Sequence, residues 1–181
     1  VGTGVTIGVA GIATFRTGRI DVGDSLYNTS IGQGAGDAIT TGNQNVAVGY
    51  NALTESTTGY RTVAIGYAAL TANTTGNNNI AIGYNALLSN TTGDNNVALG
   101  YKNLDANTTG SQNVAIGRGT LGANTTGHYN TAVGYQALVA NTTAHYNVAV
   151  GYAALYANTT GTGNVGIGVS ALAANTTASG N

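Results

Sequence analysis

Residues 79–95 read NIAIGYNALLSNTTGDN, and the next seventeen read NVALGYKNLDANTTGSQ. The match extends far beyond this pair. The glycine closing each apolar segment recurs as Gly32, Gly49, Gly66, Gly83, Gly100, Gly117, Gly134, Gly151 and Gly168, always 17 residues apart. Leucines recur in step from Leu53 to Leu172, and the Asn of an Asn-Thr-Thr triplet from Asn73 to Asn175. Such a period constrains the fold more than any motif could. Each unit must occupy an equivalent place on a stacked coil, because one inserted residue would move every later side chain off its column.

Within a unit the NVAVG segment alternates, with Val46 and Val48 on one face and Ala47 and Gly49 on the other, which predicts a short strand. The Val/Ile/Leu face reads as the buried column. The Ala/Gly face is uniformly small, as at Ala64 and Gly66 or Ala81 and Gly83. Small residues on a strand mark close approach of another backbone, so this face is the expected seam between chains. The second half of the unit, Tyr-x-Ala-Leu-x-x-Asn-Thr-Thr-Gly, is expected to form a second short strand with corners. A single helical turn is the alternative, since Tyr84 and Leu87 are three apart. The fold class expected is therefore all-β: a parallel β-solenoid or β-roll, left-handed by preference, with 17-residue coils. A coil this thin buries too little apolar surface to offset the entropy of ordering its backbone, which favours several chains sharing one core.

Two segments follow. Residues 25–41 form a degenerate first copy in which Asn28 and Gly32 keep phase while the Tyr and Leu columns are lost. Residues 1–24 are out of phase and read as a β-prone connector from a preceding domain, and the array stops at Asn181 as if cut off and not capped. A chain without Met that starts Val1-Gly2-Thr3 reads as processed or as a piece of something longer. No apolar run reaches the ~18–20 residues of a bilayer span, so no membrane insertion is expected within these residues.

Charge excludes several partners. Only 6 % of residues are Asp, Glu, Lys or Arg, against roughly 25 % in a typical soluble domain. Arg16, Arg19, Arg61, Lys102 and Arg118 are scattered, so nothing in the sequence forms the basic patch that nucleic acid requires. The absence of cysteine excludes disulfides and thiolate metal sites.

The segments Asn79-Ile80-Ala81-Ile82-Gly83 and Asn113-Val114-Ala115-Ile116-Gly117, with their copies over residues 25–181, resemble the YadA-like head repeat of trimeric autotransporter adhesins. The GYxALxxNTTGxxN arrays are also similar to repeats in phage tail-fibre proteins. The resemblance implies a left-handed parallel β-roll, three identical chains side by side, and a role in attachment to surfaces. The 17-residue unit is longer than the adhesin family's usual one, and the Tyr-x-Ala-Leu limb departs from its wording.

Candidate chemistry is sparse. The column Tyr50, Tyr67, Tyr84, Tyr101, Tyr135 and Tyr152, interrupted by Arg118 and Val169, reads first as packing and second as a sugar-stacking stripe. Asn-Thr-Thr matches a glycosylation acceptor, but one glycan per ~5 Å coil would crowd, so a turn with Asn and Thr ladders is the better reading. A Thr column raises ice binding, although adjacent Thr residues on a strand face opposite ways, leaving one column to present. His128 and His145 occupy equivalent positions and should stack; their column varies as a solvent-facing one does, and no metal or cofactor is expected. GRGTLG at 117–122 and GTGNVG at 161–166 lack the β-α-β context of a nucleotide loop, and no acid pair or Ser/His pairing supports catalysis.

These features favour a non-enzymatic, homotrimeric shaft of a phage tail fibre or bacterial surface adhesin, located in a virion or at the cell surface. Possible contacts to a host cell-surface glycan or protein are Tyr60, His128, Tyr129, His145 and Tyr146. The alternatives are an ice- or glycan-binding β-solenoid and a self-assembling extracellular filament.

Overall fold

A computed structural model describes residues 26–181. The proposed connector, residues 1–24, lies outside them. Nine strands run β1 (Thr29–Ile31), β2 (Val46–Val48), β3 (Val63–Ile65), β4 (Ile80–Ile82), β5 (Val97–Tyr101), β6 (Val114–Arg118), β7 (Thr131–Val133), β8 (Val148–Val150) and β9 (Val165–Ile167). They form a single parallel sheet in sequence order, each residue paired with its equivalent 17 positions on, such as Ala64 with Ala81. The chain is thus a β-solenoid of 17-residue coils. Eight strand spacings make it roughly 38 Å long.

Each strand is short because its ends are fixed. The closing glycine, from Gly32 to Gly168, has φ between +120° and +141°. A Cβ on Gly66 would lie 2.5 Å from the Gly83 carbonyl oxygen, so the corner closes only where no side chain exists. Before the strand, a buried Asn carbonyl accepts the next coil's backbone, as Asn96 N–H donates to Asn79 Oδ1 at 2.9 Å.

The two strand faces are reversed from the sequence expectation. Ala47, Ala64, Ala81, Ala98, Ala115, Ala132 and Ala149 point inward and are fully buried beside the column Leu53 to Leu155. The Val/Ile face points out: Ile65 and Ile82 are 36 % and 39 % exposed. Alternation defines two faces without saying which is inside, and coil thickness decides. Leucine from the opposite limb fills the interior, leaving depth for a methyl group. At Gly166, which takes the alanine's place in β9, an added Cβ would already lie 3.2 Å from Leu155 Cγ. The small face does meet a close neighbour, but that neighbour is the chain's own leucine column.

The second limb is neither strand nor helical turn. Asn85 and Leu87 are left-handed (φ +54° and +51°), and their equivalents repeat this in nearly every coil. Asn85 N–H donates back to Tyr67 O at 3.0 Å, while Leu87 N–H donates forward to Asn103 O at 3.0 Å. A turn from Asn90 N–H to Leu87 O closes the limb. Left-handed leucine costs about 1–2 kcal/mol each, offset by burying its side chain and satisfying its amide.

Polar ladders complete the interior. Asn90, Asn107, Asn124, Asn141 and Asn158 are fully buried, and each donates to the preceding Asn Oδ1 and to the glycine or alanine carbonyl three residues on. The second column, before each strand, donates to the same carbonyls: Asn79 Nδ2 reaches Gly93 O at 2.7 Å. Ser56 stands in the first ladder where other coils have Asn, and its buried Oγ has no partner. Ser56→Asn is expected to extend the ladder by one rung, stabilising the chain by about 1 kcal/mol. A calorimetric melting temperature higher by ~2–4 °C would register it.

Candidate functional surfaces

Tyrosines follow the corner glycines and leave the coil half-exposed. Tyr50, Tyr67, Tyr84 and Tyr101 stack in sequence with ring centroids 5.0–5.3 Å apart and planes within 15°, and Tyr135 stacks on Tyr152 at 5.3 Å. The spacing is that of the sheet itself. The column therefore packs against itself while keeping an accessible edge.

Of the residues expected at a contact surface, His128, Tyr129, His145 and Tyr146 come together. His128 stacks on His145 at 5.3 Å, Tyr129 on Tyr146 at 5.0 Å, and each His is 6.2 Å from the following Tyr. Tyr60 shares the histidine column but lies four coils away, roughly 19 Å, with Arg61 over its ring at 5.4 Å. The histidine column is only partly solvent-facing, because its side chains cap the preceding coil's backbone. Ser111 N–H donates to His128 Nδ1 at 2.8 Å and His128 N–H to His145 Nδ1 at 2.9 Å, as Asn77 N–H does to the carboxylate of Asp94. Burial first, then repulsion from His145, hold His128 below the usual imidazole pKa. A backbone contact at Ser111 would raise it if a carbonyl faced the ring, but the group at 2.8 Å is the N–H, which favours the neutral form. Accepting at Nδ1 puts the ring proton on Nε2, so each imidazole has its Nδ1 lone pair committed to the preceding coil. Among the described residues no three His, Cys, Asp or Glu side chains gather as a metal site.

The Asn-Thr-Thr triplets behave as ladders. Their Asn side chains are committed inside, and the first Thr hydroxyl bonds to the next coil's carbonyl, as Thr74 Oγ1 does to Thr91 O at 3.1 Å. Only the second Thr column, including Thr75, Thr92 and Thr109, stands exposed. The two G-x-G-x-x-G matches each run across a strand end and the adjoining coil corner, and no helix follows either one among the described residues.

One place breaks the tyrosine column from within. Tyr101 pairs with Arg118 at the ends of β5 and β6, which are five residues long where the other strands have three. The Arg118 guanidinium carbon lies 5.4 Å from the Tyr101 centroid and 5.9 Å from that of Tyr135, and Lys102 Nζ lies 5.8 Å from Tyr101. With Gly119 and Gln136 these residues line a surface notch of about 190 Å³. Behind it, Asn103 and Thr120 replace the buried alanine of other coils. Asn103 Nδ2 donates to Leu99 O (2.6 Å) and Gly117 O (2.8 Å), and Thr120 Oγ1 donates to Gly134 O (3.1 Å). Near the notch, Asp105 has its pKa raised chiefly by burial, an effect opposed by its own backbone hydrogen bond and by Lys102. The sequence showed Arg118 as an interruption but not this convergence. The signal available was five departures, Lys102, Asn103, Arg118, Gly119 and Thr120, confined to two neighbouring coils.

Comparison with known proteins finds no matching family model, no matching curated protein and no matching solved structure.

Proposed function

We propose that the chain is a shaft segment of a phage tail fibre or bacterial surface adhesin, three copies side by side forming a stiff spacer in a virion or at a cell surface. The observation that carries this is the outward Val/Ile face. From Ile31 to Ile167 two aliphatic columns, varied only by Thr29 and Thr131, run the length of the sheet at partial exposure. Together they form an apolar stripe along the sheet, the kind of exposed surface that marks an interaction site, and the tyrosine column borders it. Cyclic symmetry lets each copy turn this stripe toward a common axis. The seam is thus assigned to the Val/Ile face, in place of the Ala/Gly face that the coil interior has taken. The resemblance of the NIAIG segments to YadA-like head repeats points to the same three-chain arrangement.

Analytical ultracentrifugation tests the reading. The 181-residue chain is expected to sediment as an elongated particle of three chain masses. Ile82→Lys, which puts a charge in the middle of the stripe, is expected to shift the population toward single chains by about tenfold or more in association constant. A wild-type monomer, or a variant that associates unchanged, would exclude the shared-face shaft.

A further inference from the structure

We propose that the notch between Tyr101 and Tyr135 binds an acidic saccharide, its carboxylate held by Arg118 and Lys102 and its ring laid against the tyrosines. In an array this regular, departures from the unit show where something beyond stacking is selected. Here they converge. Arg118 replaces a tyrosine, Gly119 removes a side chain and opens the cleft, and Lys102 adds a second cation beside the same ring. Of the three Lys and Arg among the described residues, two meet at this point.

Among the described residues Arg118 has no acidic partner, and Lys102 has only the more distant Asp105. Among the same residues neither side chain forms a hydrogen bond or a close ion pair, and their close contacts are the tyrosine faces. Two positive charges within 6 Å of one centroid repel each other, and an oxyanion between them removes that repulsion. The guanidinium fork suits a carboxylate bidentately, and two aromatic walls provide flat apolar surface for a sugar ring. The floor is rigid. Fully buried Asn103 and Thr120 fix the carbonyls of Gly117 and Gly134, the residues that carry Arg118 and Tyr135. A neutral gap-filler in the tyrosine column would need neither the second cation nor this support.

The tyrosines border the stripe assigned to the seam, so the inference places the notch at the outer edge of the shaft; ring signals report the notch and sedimentation reports the seam, which keeps the two failures distinguishable. The test is an NMR titration of the tyrosine ring signals with trigalacturonate, with maltotriose and acetate as comparison probes. Saturable binding of trigalacturonate is expected, with Kd on the order of 1 mM, and the neutral sugar and the free carboxylate should each bind at least about tenfold more weakly. Arg118→Tyr and Lys102→Asn restore residues that other coils carry at these positions, so folding is preserved and melting temperature verifies it. Arg118→Tyr is expected to weaken binding about tenfold or more, and Lys102→Asn about threefold. Absence of saturation, equal affinity for acetate or maltotriose, or wild-type affinity in Arg118→Tyr would overturn the proposal.

Discussion

Replacing Gly66 by alanine is expected to destabilise the solenoid by at least ~4 kcal/mol. Two causes add. The backbone there sits at φ +130°, well beyond the left-handed basin near +50° that Asn85 and Leu87 tolerate. The added Cβ would also lie 2.5 Å from Gly83 O and 2.8 Å from Gly83 C, backbone atoms that cannot turn aside. Because coils contact only their neighbours, the damage should be local before it is global. Hydrogen exchange is expected to show lost protection around residues 48–83 while the later coils stay protected. Gly163 provides the contrast: its φ is +68°, an added Cβ finds nothing nearer than 3.9 Å, and equivalent positions hold Asn78 and Asn95. Gly163→Asn should change stability by less than ~1 kcal/mol. Equal losses in the two variants would refute this account of the corner.

Asn107→Asp is expected to cost about 3–5 kcal/mol at neutral pH. Asn107 Nδ2 donates to Asn90 Oδ1 (2.8 Å) and Gly110 O (2.9 Å), and its Oδ1 accepts from Asn124 Nδ2 (2.9 Å), all fully buried. A carboxylate keeps the acceptor role and loses both donors, so two carbonyl oxygens would face a negative charge. The folded state therefore favours the protonated acid, raising its pKa above the unfolded value. The sign of the pH dependence follows: the variant is least impaired below the ordinary carboxylate pKa, and its deficit grows as pH rises through the folded pKa. Denaturant melts at acid and neutral pH measure this. A deficit independent of pH would mean the side chain escapes the ladder.

The period, the strand positions and the stacked coils were all legible in the sequence, because an unslipped 17-residue repeat admits few other solutions. The inside and outside of the strand were not. Val46 and Ala47 alternate identically whichever way the sheet faces, and only the fit of Leu53 and its equivalents in the interior sends the alanines in. The second limb was also hidden, since leucine carries no signal for a left-handed backbone; at Leu87 the preference is imposed by the amide's partner in the next coil. The Asn-Thr-Thr ladder could be read, but the second ladder through Asn79 and Asn96 could not, because an isolated Asn before a strand looks like an ordinary turn residue. For the notch, Arg118 was visible, while its relation to Lys102 and Tyr135 required the register of β5 and β6.

The one-to-one register from Val46↔Val63 through Val148↔Val165 bears on how the rod's reach can change. Since backbone partners in the sheet and Asn partners in the ladders lie one coil away, excising or duplicating a whole 17-residue segment rejoins surfaces that already fit. Adding or removing whole copies would then change the span in discrete increments of roughly 5 Å, with no new junction to invent.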